Sequence, residues 1–428
     1  MHLTRRYFLK TTGALAVYLG VAPFDLLADE EGGTGRPDPV RKGRTLVVIF
    51  LRGGADGLNL VVPFGDPDYY KLRSSIAIPA PGKEGGAVDL DGHFALHPRL
   101  ASLGPLFEKG LAVAAHAVGY DKNTRSHFEE QDVWETGVIG NTVNSDGWLN
   151  RHLITSEGHG PVRAVSIGTS LPRILRGQAP AYAIRGISDL AFPGTRTDEA
   201  RVLAALEHAY RTNPEAHRGD ASDLLAQTGS STLEGVKQLQ KIAAQPYQPK
   251  AQYPNTDLGR RLSEVARLIK ADIGLEVAEV DYGGWDTHQN QGGTQGQFAN
   301  LVGTLGDALA AFAADLDDRM DDVVVTTVSD FGRTAAENGT QGTDHGWANS
   351  MLLLGGPVKE AQKAAERPSK VIAKWPGLAP DKLNQGRDLL HTTDFRNVLA
   401  ELVRVHLGNA KLEKVLPGHQ FEGVGLIA

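Results

Sequence analysis

Carboxylates and imidazoles recur directly after the apolar runs of this 428-residue chain, and they are the side chains most able to do chemistry. Carboxylate oxygens and imidazole nitrogens are the protein ligands of zinc, manganese, magnesium and calcium. Cysteine is absent from the chain, so thiolate ligands are excluded. The pattern predicts a site for one or two divalent ions. Its candidate ligands are Asp56, Asp286, His288, Asp330 and His345.

A hydroxyl and a further imidazole stand together at Ser126 and His127. A hydroxyl at a helix start beside a metal can act as a nucleophile, and an imidazole can protonate a leaving group. Arg125 precedes them, and an arginine can clamp an anion as a planar fork. We therefore predict Ser126, His127 and Arg125 as catalytic residues. The alternative is structural, because Ser126 and Glu129 have the spacing of a capping box.

The candidate ligands also have structural interpretations. Asp56 stands among glycines, where an aspartate can simply form a turn. Asp330 can cap a turn or helix, and the Asp344–Gly346 segment can be a solvated loop. Three further polar residues in these segments are candidates for binding substrate. They are Arg333, Asp344 and Asn59.

The elements that must position these residues alternate along the chain. Near-continuous apolar runs predict buried strands at residues 44–51, 111–118, 162–167, 275–280, 322–328 and 351–354. Apolar residues at helical spacing predict helices at residues 98–109, 257–273, 298–316 and 395–405, the last capped by Thr392 or Thr393. Alternating strands and helices predict an α/β fold with a mostly parallel central sheet and helices on both faces. In such sheets the loops after the carboxyl ends of the strands form the site.

The N-terminal residues predict export. Thr4–Lys10, with two consecutive arginines, has the form of a twin-arginine signal, although a basic start to a general secretory signal is the alternative. The apolar stretch at 14–27 is short for a membrane span and is interrupted by Pro23. We predict a signal peptide at 1–28, a linker at 29–43 and one domain at 44–428 with a helical insertion at about 198–245. The protein would pass through the twin-arginine translocase, work in the periplasm or outside the cell, and keep no stable membrane span after cleavage.

The formal charge of −7 argues against a nucleic-acid partner, which would require a basic face.

Long motifs in the chain resemble those of the bacterial exported family catalogued as domain-of-unknown-function family 1501. The resemblance covers residues 44–408 and rests on five segments: 50–65, 284–288, 329–334, 337–346 and 392–396. That family is similar to the alkaline phosphatase and sulfatase superfamily, whose nucleophile is approached by a His-Pro-led helix like the one that starts at His97. The resemblance implies an alkaline phosphatase/sulfatase-like fold around a metal centre.

The resemblance also implies roles for single residues. Asp56 corresponds to the metal ligand after the first strand, and Ser126 to the nucleophile. Asp286 with His288 corresponds to a second Asp/His pair, and His345 to a late histidine ligand. Asp330 corresponds to the aspartate of an Asp-His dipeptide, but here the next residue is Phe331, which cannot bind metal. This departure favours one metal, a harder metal, or a site that binds without turnover.

The function predicted from these observations is an exported metal-dependent hydrolase. Its substrate would be a sulfate or phosphate ester, carried by an anionic small molecule or a glycan. The absence of cysteine disfavours a formylglycine sulfatase. The alternative is a non-catalytic exported protein that uses the same fold to bind a glycan, a lipid or a protein partner. A third hypothesis is an assembly factor exported with an active partner.

Overall fold

The computed structural model describes residues 15–17, 43–140, 145–158, 160–187, 221–365 and 369–428. The twin-arginine motif at 4–10 and the predicted cleavage point after Ala28 lie outside the described residues. Leu15–Val17, within the apolar stretch of the predicted signal, forms a short strand.

Thirteen strands are present in the described part of the chain. In chain order they are β1 (Leu15–Val17), β2 (Thr45–Arg52), β3 (Val61–Val62), β4 (Val88–Asp89), β5 (Ala95–Leu96), β6 (Ala112–Gly119), β7 (Ala164–Ile167), β8 (Tyr182–Ile184), β9 (Val277–Gly283), β10 (Val323–Ser329), β11 (Asn349–Gly355), β12 (Val371–Ile372) and β13 (Thr393–Asp394).

Ten of these strands form one sheet, in the order β1-β8-β7-β9-β2-β10-β11-β6-β12 with β13 beside β6. The central neighbours β7, β9, β2 and β10 run parallel, and β11 is antiparallel to both β10 and β6. The predicted mostly parallel sheet is therefore confirmed. A second sheet of three short strands has the order β3-β5-β4.

The helices alternate with these strands. They are α1 (Gly57–Leu60), α2 (Pro67–Leu72), α3 (Gly104–Glu108), α4 (His127–Thr136), α5 (Trp148–Thr155), α6 (Ala221–Ala243), α7 (Asp257–Lys270), α8 (Gln297–Leu316), α9 (Gly356–Ala364), α10 (Phe395–Glu401) and α11 (Leu412–Val415). Short 3₁₀ helices occur at Pro98–Leu103, Arg173–Leu175 and Asp317–Asp322, and a π-helical turn at Leu402–His406 continues α10.

Both faces of the large sheet are covered, as the continuous apolar strands require. In β2, Val47 and Ile49 pack in the core on the side of α7 and α8, while Val48 and Phe50 pack on the side of α5 and α10. All four side chains are fully buried. Helix α7 buries the predicted face, formed by Leu258, Leu262, Val265, Leu268 and Ile269.

Two predicted details differ from the structure. The cap of α10 is Asp394, whose side chain accepts a hydrogen bond from Arg396 N, rather than Thr392 or Thr393. The regular part of that helix also ends at Glu401. In the predicted insertion, α6 is helical as expected, and residues 198–220 lie outside the described part of the chain. Within the described residues, no helix is both long and apolar enough to cross a membrane.

Candidate metal centre

The carboxyl ends of neighbouring parallel strands bring the predicted ligands together. Ser329, the last residue of β10, lies opposite Leu51 of β2, and Arg52 of β2 lies opposite Gly283 of β9. The loops that carry Asp286 and Asp330 therefore start from adjacent points on one edge of the sheet. The strand β6 also ends at this edge, because β11 is antiparallel to both β6 and β10.

Three imidazoles surround one oxygen of Asp286. Its Oδ1 atom lies 3.0 Å from His288 Nε2, 3.3 Å from His345 Nε2 and 3.5 Å from His127 Nε2. His288 Nε2 also lies 3.0 Å from His345 Nε2. The ligand atoms of His127, Asp286 and His345 all lie within 4.8 Å of one another. This cluster joins three segments that are far apart in the sequence.

The other ring nitrogen of each imidazole faces an oxygen acceptor. His127 Nδ1 lies 2.7 Å from Asp330 Oδ2, and His288 Nδ1 lies 3.0 Å from Asp344 Oδ1. His345 Nδ1 lies 2.8 Å from the backbone carbonyl of Arg125. An acceptor at Nδ1 places the proton there and leaves the lone pair on Nε2. Each Nε2 lone pair is thus available near Asp286 Oδ1, and the atoms that lie mutually close are those of His127, Asp286 and His345.

This arrangement fits a bound cation. Lone pairs on His288 and His345 repel each other at 3.0 Å unless a positive charge lies between them. The Nε2 atom of His127 is buried and has no hydrogen-bond partner among the described residues. Zinc sites have bonds of about 2.0–2.1 Å, so two ligands of a tetrahedron stand about 3.3 Å apart. The contacts of Asp286 Oδ1, from 3.0 to 3.5 Å, match that spacing.

Histidines that bind a metal through Nε2 usually donate Nδ1–H to a carboxylate or a backbone carbonyl, as these three do.

The surroundings of the cluster lower the pKa values of Asp286 and His345 but raise the pKa of His127. Burial alone would raise the pKa of Asp286, but Arg333 and the imidazoles lower it to about 2. Burial lowers the pKa of His345 below its ordinary value. The hydrogen bond that His127 donates to Asp330 raises the pKa of His127. Asp286 and His345 are therefore in their ligand forms at neutral pH, while a proton competes with a metal at His127.

Arg333 has a different place from the predicted substrate clamp. It is almost fully buried, and its Nη2 donates to Asp286 Oδ1 at 2.7 Å. The same guanidinium donates to the backbone carbonyls of three other segments, at Gly53 and Gly54, at Trp285 and at Thr343. An arginine with its donors occupied in this way cannot bind a substrate anion. It holds the loops together and fixes Asp286.

Asp330 and Asp344 lie behind the imidazoles rather than among the predicted ligands or substrate contacts. Asp330 is fully buried and accepts from His127, from Gln131 Nε2 at 2.8 Å and from Gly53 N at 3.1 Å. Burial would raise the pKa of Asp330, but these hydrogen bonds lower it. Asp344 Oδ1 accepts from His288 and from Asn338 Nδ2. Both carboxylates orient a histidine.

Asp56 and Asn59 belong to a separate buried network instead of the predicted ligand and substrate positions. Asp56 Oδ2 accepts from Arg73 Nη1 and from Gln291 Nε2, both at 2.6 Å. The side chains of Asp56 and Arg73 are completely buried. Asn59 Oδ1 accepts from Arg73 Nη1 and from the Tyr69 hydroxyl, both at 2.7 Å. The hydrogen-bond partners of Asp56 are thus Arg73 and Gln291, and none of the three clustered imidazoles is among them.

Ser126 is the residue directly before α4, as predicted, but its side chain makes no capping hydrogen bond. The predicted capping box with Glu129 is therefore wrong. The hydroxyl is half-buried and stands next to His127, which is compatible with a nucleophile. Arg125 differs from the predicted anion clamp, because its guanidinium binds Asp388 at 2.5 and 2.9 Å.

Phe331 packs against two of the imidazoles. Its ring centroid lies 4.7 Å from that of His127 and 4.7 Å from that of His345. Gly54 lies against the other side of this ring, where a Cβ atom would stand 2.6 Å from Phe331. The aromatic ring thus fills the space beside the cluster and holds the two imidazoles apart from the sheet.

Several supporting residues could not be identified from the sequence. Gln131 lies one turn after His127 on α4, and this helical spacing is the one signal that could have placed it near Asp330. Asp388 lies 263 residues from Arg125 in the sequence, whereas Arg73 lies 17 residues from Asp56 and Asn338 only 6 residues from Asp344.

Comparison with known proteins gives the family. A family model described as "Protein of unknown function (DUF1501)" matches residues 92–408 of the 428. The chain belongs to this family. The matched region contains all three imidazoles, Asp286 and their supporting aspartates, whereas Asp56 and Asn59 lie before it. No curated protein matches the chain significantly.

Solved structures with significant similarity include the lipoteichoic acid synthase LtaP from Listeria monocytogenes. Its sequence is 10% identical, and the match covers 77% of this chain and 68% of that chain with a TM-score of 0.30.

Proposed function

We propose that this DUF1501 protein is an exported metal-dependent hydrolase of a sulfate or phosphate ester. The observation that carries the proposal is the convergence of three Nε2 atoms on Asp286 Oδ1, with every Nδ1 held by an oxygen. The ligands would be three imidazoles and one carboxylate: His127, His288, His345 and Asp286. Zinc is a metal that this donor set suits.

A divalent cation held there supplies positive charge to the ester and to a nearby hydroxyl. Ser126 would attack the phosphorus or sulfur atom, the bond to the departing alcohol would break, and water would then release the inorganic anion from the serine. The Ser126 hydroxyl is available because it makes no cap bond, and it stands at the N-terminus of α4, where backbone N–H groups favour negative charge.

The imidazoles are committed to the centre. Each Nδ1 is hydrogen-bonded and each Nε2 faces Asp286, so none is left to move a proton. This assignment makes His127 a ligand in place of the predicted acid. The serine proton would therefore leave to solvent, and the departing alkoxide would take its proton from water.

Export is proposed on the twin-arginine motif at residues 4–10, whose pathway carries folded proteins. The working compartment would be the periplasm or the cell exterior.

A second candidate, a non-catalytic metal-binding protein that recognises a glycan, lipid or protein, is favoured by one observation. The two arginines predicted to clamp an anion are both engaged, Arg125 with Asp388 and Arg333 with Asp286. A substrate anion would then depend on the metal alone for its charge partner.

Elemental analysis combined with ester assays tests the proposal. The protein is purified without chelator or affinity metal, and wild type is compared with Asp286→Ala and with Asp307→Asn, which changes an exposed carboxylate on α8. We expect bound metal and turnover of p-nitrophenyl phosphate or sulfate in wild type and the control, and neither in Asp286→Ala. Metal without turnover would favour the binding protein, and no metal would overturn both candidates.

A further inference from the structure

A buried carboxylate outside the cluster controls the residue before the predicted nucleophile. Asp388 is fully buried, and its Oδ2 accepts from Arg125 Nε at 2.9 Å and from Arg125 Nη2 at 2.5 Å. The guanidinium is half-buried and has two further contacts. Its Nη2 donates to Gln385 Oε1 at 3.0 Å, and its central carbon lies 5.0 Å from the centroid of the Trp347 ring.

The backbone of Arg125 has an uncommon conformation. Its φ of 59° lies in the left-handed region, which is unfavourable for a residue other than glycine. Such a conformation persists only where the surroundings hold it. The ion pair with Asp388 is the strongest of the contacts that hold this side chain, because it is charged and shielded from water.

The Arg125 conformation determines where its carbonyl points, and that carbonyl accepts the His345 Nδ1 proton at 2.8 Å. The segment that carries Asp388 also reaches His345 directly, since Arg387 Nη2 donates to the His345 backbone oxygen at 2.9 Å. The 385–388 segment thus acts on His345 from two directions. The contact with the Arg125 carbonyl orients the imidazole ring, and the contact from Arg387 fixes the backbone of His345.

We propose that Asp388 is a positioning residue for the metal centre, which acts through Arg125 to fix the orientation and the Nδ1–H tautomer of His345. The inference rests on the proposed metal function for its consequence, which is a higher metal affinity. Loss of a supporting contact to a metal-binding histidine typically lowers metal affinity 10–100-fold. The tautomer is a property of the metal-free protein and can be measured without any metal.

The test uses the full chain and three variants. Asp388→Asn removes the charge from the Arg125 contact, and Gln385→Ala removes only the weaker exposed contact. Asp394→Asn is the matched control, because Asp394 also pairs with an arginine in this part of the chain and asparagine keeps its capping role. The tautomer of His345 is read from ¹⁵N shifts in histidine-labelled, metal-free protein, and the affinity for Co²⁺ from a competition titration.

We expect Asp388→Asn to lose the single Nδ1–H tautomer and to bind Co²⁺ at least tenfold more weakly, with a smaller change in Gln385→Ala and none in the control. An unchanged tautomer and an unchanged affinity in a folded Asp388→Asn protein would overturn the inference. A tautomer that changes in this variant while wild type binds no Co²⁺ would support the positioning role and overturn the metal function. Equal losses in the control would show a general effect of stability and also overturn it.

Discussion

The Asp330→Asn variant tests whether Asp330 binds the metal itself or supports the ligand His127. Asp330 accepts three hydrogen bonds, from His127 Nδ1, Gln131 Nε2 and Gly53 N. Asparagine has one oxygen and one NH₂ group, so at least one of these donors would face another donor. An unsatisfied buried group costs about 1–3 kcal/mol, and we expect the free energy of unfolding of the metal-free protein to fall by that amount.

The metal affinity should fall by a limited factor in the same variant. If His127 is the ligand and Asp330 its support, the expected loss is about 10–100-fold, or roughly 1.4–2.7 kcal/mol. Removing the carboxylate of Asp286 should abolish binding instead. The measurements are a Zn²⁺ competition titration at pH 7.5 and denaturant unfolding of the metal-free protein, with Asp307→Asn as the exposed control.

The pH dependence of metal binding gives a second readout of the same contact. A metal needs neutral His127, and the hydrogen bond that His127 donates to Asp330 raises the pKa of this imidazole. The affinity of wild type should therefore fall as the pH drops through that raised pKa. In Asp330→Asn the fall should begin at lower pH, because the charge that favours the imidazolium is gone. The reasoning is refuted if the variant binds as tightly as wild type, or as poorly as Asp286→Ala.

Three other predictions concern Ser126, Arg333 and three buried histidines. Ser126→Ala should keep its metal content and lose ester turnover. Its free energy of unfolding should change by less than about 0.5 kcal/mol, because no capping hydrogen bond is lost. An unchanged rate of ester turnover would remove Ser126 from the mechanism. Arg333→Lys should lower both the metal affinity and the free energy of unfolding, the latter by about 3 kcal/mol or more, because lysine cannot donate to carbonyls on three loops. Denaturant unfolding and metal titration measure the two effects, and wild-type values in the variant would contradict the prediction. Three buried histidines have pKa values lowered by burial to about 4, so the unfolded chain takes up protons first as the pH falls below about 6.5. The contribution of each histidine to the free energy of unfolding should be fully present above that pH and decline down to about pH 4, with a loss of roughly 2 kcal/mol per histidine at pH 5. A urea midpoint that does not change over this pH range would contradict the prediction. These histidines are His97, His116 and His406.

The sheet and its helices were predictable because their signals are local. Strand β2 is apolar from Leu46 to Leu51, all of which it buries, and α7 repeats apolar residues at the spacing of one face. The edge of the sheet that carries the site also followed from the sequence, because parallel strands place their carboxyl ends together.

The roles within the site were less predictable, because they depend on distances between segments that are far apart in the chain. Asp286 and Asp330 look alike in sequence, since each follows a strand. In the structure the first is surrounded by three Nε2 atoms, and the second faces the Nδ1 atom of His127. No local sequence pattern indicates which ring nitrogen of a histidine a carboxylate will contact. The same limit applies to Arg333, whose partners are backbone carbonyls that any sequence would offer.

Charge around the centre argues for a single divalent ion. Three arginines each pair with one carboxylate: Arg73 with Asp56, Arg125 with Asp388 and Arg333 with Asp286. Two carboxylates remain, Asp330 and Asp344, and each accepts a hydrogen bond from the Nδ1 atom of an imidazole. Asp330 is fully buried and Asp344 is half exposed, and one divalent cation among the Nε2 atoms would balance their two negative charges. A second such ion would leave an excess of positive charge, and Phe331 already fills the space beside His127 and His345. Wild-type protein should therefore contain one equivalent of metal per chain.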